Sequence, residues 1–248
     1  VADVFKRPLQ FGKDALKDMR ARGQRWISLT EKLEQPIETD PAERPAPCPP
    51  TAARPKQLSV TQIKTLIRDP YAIYARHVLG LRPLDPLMRV PDALLRGTVI
   101  HKALEDFIRD TKDNPDDVTV EGLLRAISAR LETDVPWAEA RLMWRSRMSR
   151  VAGRFIEGEL ARRRSAKPLL LEAKGKSTIA SLDFTLTAEA DRIDTDTLGR
   201  LLIYDYKTGE PPNRQVQTHF DKQLLLEAAI AERDGFGTHG PAPVASAV

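Results

Sequence analysis

The chain carries a single cysteine, Cys48, in 248 residues. One thiol forms no internal disulfide, and it leaves no Cys-rich zinc site and no self-contained iron–sulfur cluster, because each of these needs several thiolates. A reducing compartment is the expected setting. Long hydrophobic runs are also lacking: no window approaches the roughly 18 uncharged apolar residues that cross a bilayer, and the first residues do not read as a charged-then-apolar export signal. The expectation is a soluble, unexported protein with no membrane partner. Neither sign of charge dominates, with 39 Lys and Arg against 35 Asp and Glu for a net +4. Such a balance is compatible with a polyanionic partner and does not require one. What is present is ample apolar material, 41% against 30% charged, which excludes wholesale disorder. The length allows one sizeable core with an attached fragment, since domains cluster at about 100 to 200 residues.

Residues 1–35 scatter Leu16, Met19, Trp26, Leu29 and Leu33 among Lys and Arg, a pattern that predicts short helices belonging to the tail of a preceding domain. Pro36, Pro41, Pro45, Pro47, Pro49, Pro50 and Pro55 then mark residues 36–56 as a linker, because that proline density defeats both helix and ladder. From residue 57 the pattern is helical. Ser59 and Gln62 have capping-box spacing, and the helix they open must end near Asp69-Pro70. Further helices are expected over 71–79, 92–111, 118–133 and 137–164, followed by β-prone runs at 169–171, 184–187 and 201–204. Read by periodicity, these runs form a three- to four-stranded antiparallel meander, with tight turns at Gly175-Lys176 and Leu198-Gly199. Helix returns from Asn213, with Leu224, Leu225, Ala228, Ala229 and Ile230 expected as its buried stripe before Gly235 ends it. The chain begins with Val and closes on what reads as a strand stopping early, so a piece of a longer protein is expected.

Asp205 and Lys207 close the run Leu201–Tyr204, and strand alternation puts them on one face, roughly 6 to 7 Å apart. Asp191 lies on the preceding strand, and a hairpin at 197–199 brings the two carboxylates together. Hard divalent cations such as Mg²⁺ take oxygen ligands from one or two carboxylates and keep waters for a phosphate substrate. A neighbouring lysine orients or deprotonates the attacking water and offsets developing negative charge. Gly97, His101 and Glu105 recur at four-residue steps, so they share one helix face, with Gly97 permitting close backbone approach and His101 offering an imidazole. Gln223 on the last helix can reach the same cleft.

Gly97, His101 and Glu105, then Asp191, then Asp205-Tyr206-Lys207-Thr208-Gly209, then a glutamine helix, together resemble the RecB-type branch of the PD-(D/E)xK nucleases. The likeness covers about residues 57 to 240 and is nearest to the C-terminal nuclease domains of the alphaproteobacterial AddB family, through Leu58-Ser59-Val60-Thr61-Gln62, the segment 69–75, the segment 79–86 and Tyr204 to Gly209. It implies a restriction-endonuclease-like α/β fold, a central mixed β-sheet flanked by helices. It also implies a metal-dependent DNA exonuclease using Mg²⁺, with Mn²⁺ able to substitute. His101, Asp191 and Asp205 would bind the metal with the Tyr206 carbonyl, Lys207 would be the catalytic lysine, and Gln223 would complete the site. The partners implied are DNA, chiefly single-stranded ends, and an AddA-like helicase–nuclease subunit, in double-strand-break resection in the bacterial cytoplasm. Many RecB-type domains place Tyr four residues after the glutamine, where this chain has Glu227. Some AddB relatives hold an iron–sulfur cluster on four cysteines, which this chain lacks. The family's final strands look missing.

Plainer readings compete. A lone Asp-x-Lys is common as a solvated pair, His101 alone fits a buried structural histidine, and Glu105 fits a salt bridge within the helices. Lys174 to Thr178 lacks the first Walker glycine, with Leu170 in its place, and reads as a turn. Asp194 and Asp196 only faintly match a calcium loop. The arginines between 137 and 164 fit either a phosphate track or a solvated face. Two other functions are open: a DNA-binding module that keeps the fold without chemistry, and an RNA-directed nuclease.

Overall fold

The computed structural model describes residues 12–34, 41–44, 46–209 and 212–248. The first eleven residues of the expected helical tail, and Pro36 and Pro45 of the expected linker, lie outside the described residues. The chain divides into two compact units, residues 1–46 and 47–248. Among the described residues the first holds one helix, α1 (Lys13–Leu33), where short helices were expected: no proline interrupts residues 13–33, and their only glycine, Gly23, is tolerated within the helix.

The second unit opens with β1 (Gln57–Ser59) and α2 (Val60–Arg68), joined by the capping box in full: the Ser59 hydroxyl accepts from the Gln62 amide and the Gln62 side chain accepts from the Ser59 amide. Asp69 caps α3 (Pro70–His77), whose first-turn proline is preset for a helical start. The Asp92 carboxylate accepts from the Leu95 amide at 2.7 Å and starts α4 (Ala93–Asp110). Two further helices, α5 (Val120–Asp134) and α6 (Ala138–Arg163), complete a cluster whose core joins Ile100, Phe107, Ile127 and Trp144.

The sheet follows. Strand β2 (Ala166–Ile179) runs antiparallel to β3 (Phe184–Asp196), and β4 (Leu201–Tyr204) antiparallel to β3's second half. These three strands form the expected meander. Two short strands make the sheet mixed: β1 pairs parallel with β3, and β5 (Val244–Ala247) parallel with β4. Parallel partners come from distant segments, so local periodicity does not show them. Helices α7 (Arg214–His219) and α8 (Gln223–Arg233) lie between β4 and β5 in sequence. Helix α8 packs with Ala188, Ala190, Ile203 and Phe236 in a second core, so helices cover both sides of the sheet.

Two expectations fail here. Leu225 is exposed and Ala229 faces outward, while Glu227, Ile230 and Ala231 are buried; the helix buries Glu227, whose Oε1 accepts from Gln223 of the same helix, in place of part of the all-apolar stripe. Gly175 is not in a turn. It stands within β2, and the reversal comes at Ala180–Asp183, where Asp183 adopts φ 46°. Gly175 is there for packing, since a Cβ at this position would lie 2.7 Å from Phe236 Cε1 and 2.9 Å from Ile230 Cγ2. Gly175→Ala should therefore cost about 1 to 3 kcal/mol by overpacking and lower Tm by several degrees. Thermal melting followed by circular dichroism checks this, and an unchanged Tm would show that Phe236 gives way freely.

Candidate metal and phosphodiester site

Glu172 and Asp191 reach the site because alternation slips on both strands at the same level. On β2, Leu171 packs among α4 to α6 while Ala173 packs under α8; on β3, Ala190 lies under α8 while Arg192 turns to α6. Residues two apart on a regular strand share a face, and these do not. Glu172 carries φ 45° at the slip, in the left-handed region that costs a residue other than glycine about 1 to 3 kcal/mol. The outcome is that both carboxylates lean toward α4.

There they meet His101. One ligating atom from each of His101, Glu172 and Asp191 lies within 4.8 Å of the others, and His101 Nδ1 is 3.5 Å from Asp191 Oδ1. Asp191 Oδ2 accepts from the Tyr206 amide at 2.7 Å. Hydrogen bonding to Asp191 raises the imidazole's pKa above its ordinary value despite partial burial. Burial, with Asp191 and Glu105 nearby, pushes the Glu172 carboxyl up to about 7.

Asp205 follows β4 and stands opposite Asp191 if the Arg192–Tyr204 register is extended by one pair. Its carboxylate faces other partners: Lys207 Nζ lies 2.5 Å from Oδ2, and Gln223 Nε2 donates to Oδ1 at 3.0 Å. Burial raises the Asp205 pKa, and Lys207 works against that shift. Gln223 also donates to Glu227 Oε1 at 3.0 Å, while Glu227 Oε2 is buried without a partner. Burial, with Asp205 and Asp191 nearby, pushes Glu227 up to about 7.

His101 and Asp191 thus meet the Tyr206 amide beside Glu172, while Asp205, Lys207 and Gln223 form an adjoining cluster from the segment after β4 and α8, and the Asp205 carboxylate is not part of the His101–Glu172–Asp191 group. Glu105 instead pairs with Arg109 one turn on. Gly97 would tolerate a methyl, whose nearest neighbour is the Thr208 hydroxyl at 3.5 Å, an ordinary van der Waals distance, so close backbone approach is not its purpose. Asp194 is committed to Arg192, and Asp196 caps the β3–β4 turn through the amides of Leu198 and Arg200. Sequence reasoning missed Glu172, which ends an apolar run with no motif spacing; it noted Glu227 only as a departure, at the place where many RecB-type domains carry Tyr, and gave it no role.

Residues 57–248 match the family model of the PD-(D/E)XK nuclease superfamily. The chain belongs to that superfamily. It is also similar to uncharacterized proteins of Rickettsia conorii, at 29% identity over 189 residues (73% of this chain, 23% of the relative), and of Rickettsia bellii, at 29% over 194 residues (77% and 23%). A Rickettsia felis protein is 30% identical over 189 residues, again 73% of this chain and 22% of the relative. The chain therefore spans less than a quarter of the length of these relatives. Nucleases of this superfamily use divalent metals, and the donor set here fits one. Ligating atoms of two carboxylates and an imidazole lie within 4.8 Å of one another, and burial, with the Asp191 charge beside it, raises the Glu172 pKa, a penalty that a cation relieves.

A carboxyl raised from 4.5 to about 7 costs the metal-free fold stability as pH climbs through that interval, because the unfolded chain ionises first. In EDTA, Glu172→Gln should melt above the wild type at pH 8, with the gap closing as pH falls toward 4.5. Added Mn²⁺ should raise the wild-type Tm more than that of the variant. A gap independent of pH would contradict this account of Glu172.

Proposed function

We propose that this nuclease hydrolyses phosphodiester bonds in DNA with Mg²⁺, for which Mn²⁺ substitutes. The observation that carries the reading is the approach of His101, Glu172 and Asp191 beside an Asp205–Lys207 pair on the adjoining segment. His101, Asp191 and Asp205 would hold the cation with the Tyr206 carbonyl, and Glu172 adds a donor from β2. A bound divalent cation supplies Lewis-acid polarisation of the phosphate and lowers the pKa of its water. The Lys207 ammonium offsets charge developing on the phosphate oxygens and orients the attacking water through its N–H donors at Nζ. Gln223 fixes the Asp205 carboxylate through Oδ1. Tyr206 does the same for Asp191 through its amide.

The finer reading places the domain in an AddB-type subunit, acting with an AddA-like motor in the bacterial cytoplasm and resecting double-strand breaks from single-stranded ends. Relatives more than four times the matched length are compatible with such an assembly. No helix among the described residues is long and apolar enough to cross a membrane.

Cleavage of labelled single-stranded DNA, duplex DNA and RNA in Mg²⁺, Mn²⁺ or EDTA tests the proposal. Lys207→Ala and Asp191→Ala should each lower the rate about 10²- to 10³-fold, with EDTA abolishing cutting. A folded wild type that binds DNA and cuts nothing would favour the non-catalytic module, and preference for RNA would overturn the substrate.

A further inference from the structure

A groove of about 460 Å³ opens between α4 and α6 and runs to Tyr206, Lys207 and Thr208. Its apolar lining includes Met148, Val151 and Phe155, and Arg96, Arg147 and Arg154 stand along it. Arg96 stands on α4 and Arg147 and Arg154 on α6, where most other arginines are engaged and Arg150, also without an acidic partner, lies outside the groove. Arg141 bonds the Val135 carbonyl, Arg145 the Ser128 hydroxyl, and Arg162 and Arg163 the Glu159 carboxylate. Among the described residues Arg96, Arg147 and Arg154 have no acidic partner. Guanidinium groups left free beside an apolar floor match a ligand that carries negative charge along its length and flat apolar faces between the charges.

We propose that this groove is the track that holds one strand of DNA next to the cleavage point, with Arg147, Arg154 and Arg96 on its phosphates and Phe155 against a base. The proposal rests on the nuclease reading above. Arg147 and Arg154 are seven residues apart on one helix face, about 10.5 Å along the axis, so they engage different phosphates of one strand. The opening suits one or two nucleotides. A duplex, with grooves alone about 12 and 6 Å wide, does not enter between two packed helices. These arginines thereby select single strands and set the substrate's direction of approach to Lys207.

The test uses the full chain and a fluorescein-labelled oligothymidylate, with binding followed by anisotropy in EDTA across a NaCl series. Replacing Arg96, Arg147 and Arg154 together by Ala should weaken binding at least tenfold. It should also flatten the slope of log K against log salt by about 2, at roughly 0.7 for each single-strand phosphate that is no longer neutralised. The triple Lys variant should recover most of that slope, and Ala at Arg68, Arg125 and Arg164, exposed and outside the groove, should change it little. Hydrolysis of bis(p-nitrophenyl) phosphate, a single diester too small to need the groove, should proceed at the wild-type rate in the triple Ala variant. Unchanged slope and affinity in a variant that still hydrolyses the small diester would overturn the track and leave the nuclease reading intact. A wild type inert toward both substrates would instead fail the nuclease reading, while the binding series still decides the groove.

Discussion

The side chain on which the site depends is Arg192. Its guanidinium is fully buried and gives hydrogen bonds in three directions: to Glu159 of α6, to Asp194 of its own strand, and to the Tyr206 hydroxyl at 3.1 Å. A buried cation without partners costs far more than a fold can supply, and losing one member of a buried pair typically costs about 3 to 5 kcal/mol. Arg192 therefore admits only arrangements in which α6, β3 and the segment after β4 meet at this point. Burial works against the Glu159 carboxylate, yet Arg192 and Arg163 outweigh it and hold its pKa low. Arg163 ties the network onward to Thr111, just beyond α4. Tyr206, gripped at its hydroxyl, presents its amide to Asp191. An ionic knot beneath the sheet thus becomes a geometric constraint on the groups above it.

Above the knot the electrostatics reverse. Below, cations outnumber or match anions; in the site, burial first and the charge of Asp191 second push Glu172 to about 7, and burial with Asp205 and Asp191 nearby does the same to Glu227. Burying carboxylates in this way is unfavourable for the metal-free fold and favourable for a divalent cation, the common feature of sites that trade stability for binding. The φ of Glu172 belongs to the same trade, since a relaxed strand would turn that carboxylate away from His101.

The mixed sheet is what allows site residues to arrive from both sides. Helix α4 delivers His101 over one face, and α8 brings Gln223 and Glu227 in beside Asp205 from the other. Lys207, after the end of β4, contributes to both the α8-side cleft and the α4–α6 groove. Its ammonium is paired with Asp205.

Much of this was legible in the sequence because it rests on local rules. The capping box at Ser59, the helical periodicity of α4 to α6 and the β2–β3–β4 meander follow from spacing along the chain, as does the placing of Asp191 and Asp205 on adjoining segments. What only the tertiary structure decided depends on segments far apart. The parallel pairings of β1 and β5, the packing reason for Gly175, and the slip that brings in Glu172 belong to this group, as do the choice of Glu227 over Leu225 for burial and the contrast between paired and free arginines on α6. Periodicity reports which face a residue occupies, whereas a partner's identity is set by long-range register and by the cost of burying charge, and neither is written in neighbouring residues.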